Sequence, residues 1–160
     1  MSTKQKTSHY PPKTFLRILF RIPVYFYRIG LGWLFGDRFV LINHVGRITG
    51  TPHQVVVEVV EREKGTNNII VVAGYGEQTQ WYKNLRNHPK TIIQIRNRKY
   101  LVTSDLITPE DGEDIIARYA ERYGILTHEL FSMMGYEWDG TEKGARQIAR
   151  EGLRFVRFVN

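Results

Sequence analysis

The chain is 160 residues long, contains no cysteine and carries a formal net charge of +7. That length fits one domain with a core large enough to need no staples, and the lack of cysteine excludes a disulfide framework, a thiolate zinc site and cysteine catalysis, in keeping with a cytoplasmic setting. The charge is uneven: Lys4, Lys6, Lys13, Arg17, Arg21 and Arg28 all precede the first acid, Asp37, and leave 17 basic against 16 acidic residues elsewhere. The basic character therefore belongs to an N-terminal arm, and the near-neutral body offers nucleic acid little to bind.

Residues 1–12 are polar and end in Pro11-Pro12, which predicts a disordered leader. Residues 13–36 are dense in aliphatic and aromatic side chains and predict a basic amphipathic helix that Pro23 kinks or divides. The run is long enough to cross a bilayer, but Arg17, Arg21 and Arg28 would each cost about 2.5–3.5 kcal/mol near its centre. Spaced by four and seven, these arginines share one helical face. The segment thus reads either as a helix lying on the inner face of the cell membrane or as one packed on its own domain or a partner subunit.

From residue 37 the pattern changes to strands. Asp37 to Asn43, Gln54 to Glu61, Ile69 to Ala73, Thr91 to Arg96, Lys99 to Ile107 and Leu153 to Val159 are β-branched or alternating runs. Ile69 to Ala73 is wholly apolar and reads as a strand buried on both faces. A short helix is predicted over Gln78 to Asn87, and a turn at Asn97-Arg98. Thr108-Pro109-Glu110-Asp111 is a helix start, with an N-cap, proline at N1 and acids in the first turn; Gly124 is read as that helix's end. Further helices are expected over 127–135 and 141–151. Six strands without strand-helix-strand alternation predict an α+β protein built on a closed or split antiparallel β-barrel, with residues 37–160 as its domain.

Two loops hold the residues that suggest chemistry. His44-Val-Gly-Arg-Ile-Thr-Gly-Thr-Pro-His53 turns between two strands and gathers Gly46, Arg47, Thr49, Gly50, Thr51 and His53, a set able to surround an anion with backbone N–H groups and cationic side chains. Ala73-Gly74-Tyr75-Gly76 leaves the buried strand through glycines and leads into Trp81, Tyr82 and Asn84 at a helix N-terminus. By themselves both loops read more readily as plain turns. Together they would suit a planar, anionic, phosphate-bearing ligand. The five histidines form no metal-ligand spacing, and no serine stands in a nucleophile elbow.

These residues resemble the deazaflavin-dependent nitroreductase family. His44 to Thr51 matches a T/H-x-G-R-x-[ST]-G motif, and Gly74 to Gly76, then Trp81-Tyr82-x-Asn84-Leu85 and Pro89, follow in the family's order and spacing. The resemblance spans roughly Leu31 to Tyr123. It implies a split β-barrel of the FMN-binding, pyridoxamine-phosphate-oxidase-like type with peripheral helices. It also implies coenzyme F-420, an 8-hydroxy-5-deazaflavin, with its phosphodiester and acidic tail at Gly46, Arg47, Thr49, Gly50, Thr51 and His53. Ala73, Gly74, Tyr75, Gly76, Trp81, Tyr82 and Asn84 would surround the ring, and Tyr123 would face the acceptor.

Where family members often carry Arg or Lys after this loop, the chain has Thr51, His53 and Gln54. The implied activity is hydride transfer from the reduced coenzyme to a quinone, nitro compound or enone, in a cytoplasmic enzyme compatible with a homodimer. Two rivals stay open: the same barrel holding FMN or haem, and a non-catalytic, membrane-associated lipid or ligand carrier.

Overall fold

The run Ile69–Ala73 has no polar side to turn outward, and the molecule is built around it. The structure, a computed structural model, describes residues 21–160. The leader expected over 1–12, and the part of the expected helix before residue 21, lie outside the described residues. Ile69–Ala73 forms strand β3, buried at every position. Ile69, Val71 and Ala73 enter one apolar cluster and Ile70 and Val72 another, as the period-two alternation of a strand requires.

Around β3 stand β1 (Phe39–Val45), β2 (Pro52–Arg62), β4 (Lys90–Ile95), β5 (Arg98–Leu106) and β6 (Arg154–Val159). All neighbours are antiparallel, in the order β1-β2-β3-β6-β5-β4, and β4 returns to β1 to close the barrel. The α+β barrel expected from the sequence is therefore present, with strand ends moved by one or two residues.

Helix α2 (Gln80–Asn87) follows β3 and turns Trp81, Tyr82 and Leu85 into the barrel's inner cluster beside Val40, Ile42 and Phe158. Helices α3 (Pro109–Arg122), α4 (Gly124–Met133) and α5 (Glu142–Gly152) lie between β5 and β6 in sequence. Their Ile116, Phe131 and Ile148 cover Ile70, Val72 and Phe155 on the outside of the barrel. The predicted start of α3 is present, the Thr108 hydroxyl accepting from the Asp111 N–H at 3.2 Å.

Three local expectations need correction. The expected 13–36 helix is, within the described residues, α1 (Ile22–Arg28) and a separate 3-10 turn, Gly32–Phe35. Pro23 sits in the first turn of α1, where its missing N–H costs nothing, and Gly30 at φ +81° breaks the path between the two pieces. The β4–β5 turn falls at Arg96-Asn97, with Arg96 at φ +53°. Its guanidinium pairs with Asp37 at 3.0 Å, a tertiary contact that offsets the left-handed backbone. Gly124 opens α4, and α3 ends on Tyr123.

Helix α1 packs on its own domain. Val24 and Tyr27 are buried against Leu41, the Tyr27 hydroxyl donates to the Phe39 carbonyl at 3.1 Å, and Arg28 Nε donates to Gln54 Oε1 at 2.7 Å. The opposite side of α1 leaves Ile22 and Tyr25 exposed, and Ile29 beyond its end and Trp33 and Leu34 of the 3-10 turn are exposed as well. Among the described residues no helix is long and apolar enough to cross a membrane.

Candidate functional site

The β1–β2 connection is a closed loop. Gly46 N–H donates to the Thr51 carbonyl and Gly50 N–H to the Gly46 carbonyl, both at 2.8 Å, and Gly50 holds φ +69°, a conformation that favours glycine. The hydroxyls of Thr49 and Thr51 lie 2.6 Å apart, and Thr51 Oγ1 is 3.2 Å from His53 Nε2. A Cβ at Gly46 would stand 2.8 Å from Thr49 Oγ1 and 3.2 Å from His53 Nε2, so these polar groups converge on one glycine.

Helix α2 fixes the loop. Asn84 Oδ1 accepts from the Arg47 backbone N–H and from Arg47 Nη1, each at 3.1 Å, while Nη1 also donates to Gln80 Oε1 at 3.0 Å. Behind this contact, Asn84 Nδ2 lies 2.9 Å from His44 Nδ1. Both residues are buried, and their bonds are local replacements for lost water. Burial first, and the charge of His53 second, push His44 down to about 4 from 6.5.

Arg47 is therefore held by neutral oxygens. Among the described residues no carboxylate lies within ion-pair distance of it, although most arginines after residue 37 have such a partner. At the adjoining N-cap of α2, the buried Thr79 hydroxyl has no hydrogen-bond partner, an orphan of the kind a ligand satisfies. A free cationic charge, two threonine hydroxyls and a helix start fit the anionic tail of a phosphate-bearing coenzyme.

The other site residues divide into groups. Ala73 is fully buried at the end of β3, and Gly76 is buried in the turn beyond it. Gly74 and Tyr75 are partly buried, and a Cβ at Gly74 would meet Met134 Cγ at 2.7 Å; burial raises the Tyr75 hydroxyl above its ordinary value. Trp81 and Tyr82 are 7% and 6% exposed and give their rings to the barrel core, which leaves little of either for a planar ligand. Asn84 serves the loop, as described above.

Tyr123 lies elsewhere. It lines a groove of about 780 Å³ between the end of β2 and α3, with Glu58, Arg118, Tyr119, Arg122 and Leu126 among its walls. Tyr123 packs on Tyr119 with ring centroids 5.2 Å apart, and the Arg122 guanidinium lies 5.7 Å from the Tyr123 ring centre. The Tyr119 hydroxyl donates to Glu58, and burial pushes it well above the usual phenol range. Along β2, Glu58 is seven residues from Thr51, a separation on the order of 20 Å.

Sequence reasoning thus grouped residues that the fold sorts into two places joined by β2. It placed His44 at the head of the loop motif without giving it a role, and it did not single out Glu58 or Tyr119. Tyr119 had a usable signal, its four-residue spacing from Tyr123 on one helix; Glu58 had none, because only the α3 packing brings it to the groove.

A family model described as F420H(2)-dependent quinone reductase matches residues 21–125. That span takes in the Arg47 loop, the Gly74 turn, α2 and Tyr123. A solved F420-H2 dependent reductase (FDR-A) is 17% identical, with 77% of this chain and 95% of that one covered and a TM-score of 0.51. A conserved hypothetical protein from Mycobacterium tuberculosis is 16% identical over 98% of this chain and 85% of that one, with a TM-score of 0.55. A pyridoxamine 5'-phosphate oxidase-related, FMN-binding protein from Nostoc punctiforme is 14% identical over 95% and 82%, with a TM-score of 0.51. At such identities the likeness is one of fold. No curated protein matches the chain in sequence.

Proposed function

We propose that this chain, which belongs to the F420H(2)-dependent quinone reductase family, reduces a quinone in the groove beside Tyr123 while Arg47 holds the coenzyme's anionic end. The coenzyme is F-420, and the reaction class is oxidoreduction. The observation that carries the reading is the Arg47 guanidinium, fixed by Asn84 and Gln80 yet paired with no carboxylate among the described residues. A fixed, uncompensated cation is the feature an acidic tail needs.

In this reading Gly46, Arg47, Thr49, Gly50, Thr51 and His53 hold the phosphodiester and tail. Ala73, Gly74, Tyr75 and Gly76, which carry the end of β3 into the turn before α2, form the wall beside the ring. When bound, the reduced deazaflavin supplies a hydride. The protein's part is to orient donor and acceptor and to exclude water. Tyr123 offers the acceptor an aromatic face and a hydroxyl, and Arg122 favours negative charge that develops on it. Quinones come first among acceptors; nitro compounds and enones share the required electrophilicity.

The exposed Ile29, Trp33 and Leu34, next to a basic N-terminal arm, further suit peripheral contact with an anionic membrane, where hydrophobic quinones reside. Titration with oxidised F-420 followed by fluorescence, then turnover of menadione with the reduced coenzyme, tests the proposal. Saturable quenching with turnover supports it. Quenching by FMN and not by F-420 moves the site to a flavin, and coenzyme binding with no turnover of any acceptor removes the enzyme reading.

A further inference from the structure

We infer that His44 is a positioning residue: as a neutral imidazole bearing its proton on Nε2, it orients the Asn84 amide, and through that amide sets the Arg47 loop in its anion-accepting form. The inference rests on the reading of the Arg47 loop as the coenzyme's tail site.

The geometry leaves one consistent assignment of protons. Asn84 Oδ1 receives two donors from Arg47, one from the backbone and one from the guanidinium. The other end of the amide, Nδ2, then has to donate, and the atom it faces at 2.9 Å is His44 Nδ1. A ring nitrogen that accepts carries no proton, so the proton of the neutral ring is on Nε2. Reversing the amide would set its NH2 group against both Arg47 donors, and although an Nδ1–H tautomer could then satisfy the amide oxygen, neither Arg47 bond to Asn84 would survive. His44 is 7% exposed and Asn84 4%, which leaves water little room to satisfy an NH2 group turned against the Arg47 backbone N–H.

The surroundings keep His44 in this form. Its ring stacks on His53 with centroids 5.5 Å and planes 24° apart, and burial together with the His53 charge opposes protonation. Arg47, a permanent cation, is joined to His44 through Asn84. A carboxylate in place of the amide would hold Arg47 equally well but would cancel its charge. The His44–Asn84 pair is thus a device for fixing an arginine without neutralising it.

The test compares His44→Phe, which keeps ring and volume but removes the acceptor, with His44→Gln, whose side-chain oxygen can still accept from Asn84. The readouts are the dissociation constant for F-420 from fluorescence titration and the melting temperature without coenzyme. A third readout, on the wild-type protein without coenzyme, is the 15N NMR pattern of the His44 ring at neutral pH. Expected are a neutral Nε2–H ring, a loss of affinity of about tenfold or more in His44→Phe, and recovery of at least part of that loss in His44→Gln.

An Nδ1–H ring, or undiminished affinity in a folded His44→Phe protein, overturns the inference. If His44→Phe does not fold, the ring pattern and the affinity of His44→Gln, expected within a few-fold of wild type, still decide. Failure of the wild-type protein to bind F-420 overturns the tail-site reading instead, while the ring pattern judges the His44 assignment independently.

Discussion

The imidazoles of His44 and His53 stand opposite each other in the β1–β2 register and stack with centroids 5.5 Å apart. One is buried and the other exposed. Burial and the neighbouring charge hold His44 at about 4 against an ordinary 6.5. The unfolded chain therefore takes up this proton first as pH falls. The contribution of His44 to stability is complete above about 6.5 and is lost progressively towards 4, by up to about 3 kcal/mol. Urea midpoints followed from pH 7 to 4 are expected to fall more steeply for the wild-type protein than for His44→Phe. Parallel profiles would contradict the assignment.

Arg47→Ala is expected to weaken F-420 binding by about 1.5–3 kcal/mol, the usual worth of a hydrogen bond to a charged group. Arg47→Lys keeps the charge but not the planar fork that reaches both Gln80 and Asn84, so its affinity is expected between the two. Salt titrations supply the control: the affinity of Arg47→Ala is expected to depend less on ionic strength than that of the wild-type protein. An unchanged affinity in Arg47→Ala would remove the loop from the coenzyme site.

Tyr123 and Tyr119 separate acceptor binding from coenzyme binding. Tyr123→Ala removes an exposed ring from the groove wall and is expected to raise KM for menadione about tenfold, from the loss of roughly 1–1.5 kcal/mol of aromatic contact. The dissociation constant for F-420 measured by fluorescence is expected to change far less, because the tail site is at the other end of β2. Tyr119→Phe strands Glu58, which retains Arg38 at 3.4 Å, and is expected to cost about 1–2 kcal/mol of stability in chemical denaturation. A coenzyme affinity that falls as much as the acceptor's in Tyr123→Ala would merge the two subsites.

Gly32 tests how the N-terminal segment is fastened. A Cβ there would stand 2.3 Å from the Arg96 carbonyl oxygen and 2.7 Å from the Tyr27 ring, and the first of these is backbone that cannot rotate away. Gly32→Ala is expected to cost about 2 kcal/mol and to lower the melting temperature by several degrees. Gly30, with open space around its Cα, provides a comparison in which only its φ of +81° is strained.

The exposed apolar side chains of α1 and the 3-10 turn after it predict a lipid preference. The protein is expected to sediment with vesicles rich in anionic lipid and not with neutral ones, and replacing Ile29 and Trp33 together with serine is expected to reduce that binding roughly tenfold. Equal binding by the double variant would assign these side chains to another partner. Both positions are exposed, and coenzyme titrations of the same variant serve as its folding control.

The sequence by itself determined what local chemistry can determine. Alternation and β-branching marked all six strands, because side chains on a strand must choose a face. The wholly apolar Ile69–Ala73 run announced a strand covered on both sides, and Thr108-Pro109 announced the start of α3. The Gly46–Gly50 loop was legible as a turn able to hold an anion, since glycine, threonine and arginine keep their local character in any fold.

Tertiary structure decided the rest. Trp81 and Tyr82 have the composition of a ligand platform, but it is the helical phase of α2 that turns their rings into the barrel's inner cluster. Arg96 adopts φ +53°, which its own propensity disfavours, because Asp37 holds it from 59 positions away. Asn84 and His44, 40 positions apart, meet only after the barrel closes, and no local pattern foretells that an amide would be oriented by an imidazole. Tyr123 matched the motif order of the Arg47 loop, yet the barrel sets it a β-strand's length away. Order along the chain constrains composition and spacing, whereas distance between side chains is fixed by strand register and helix packing.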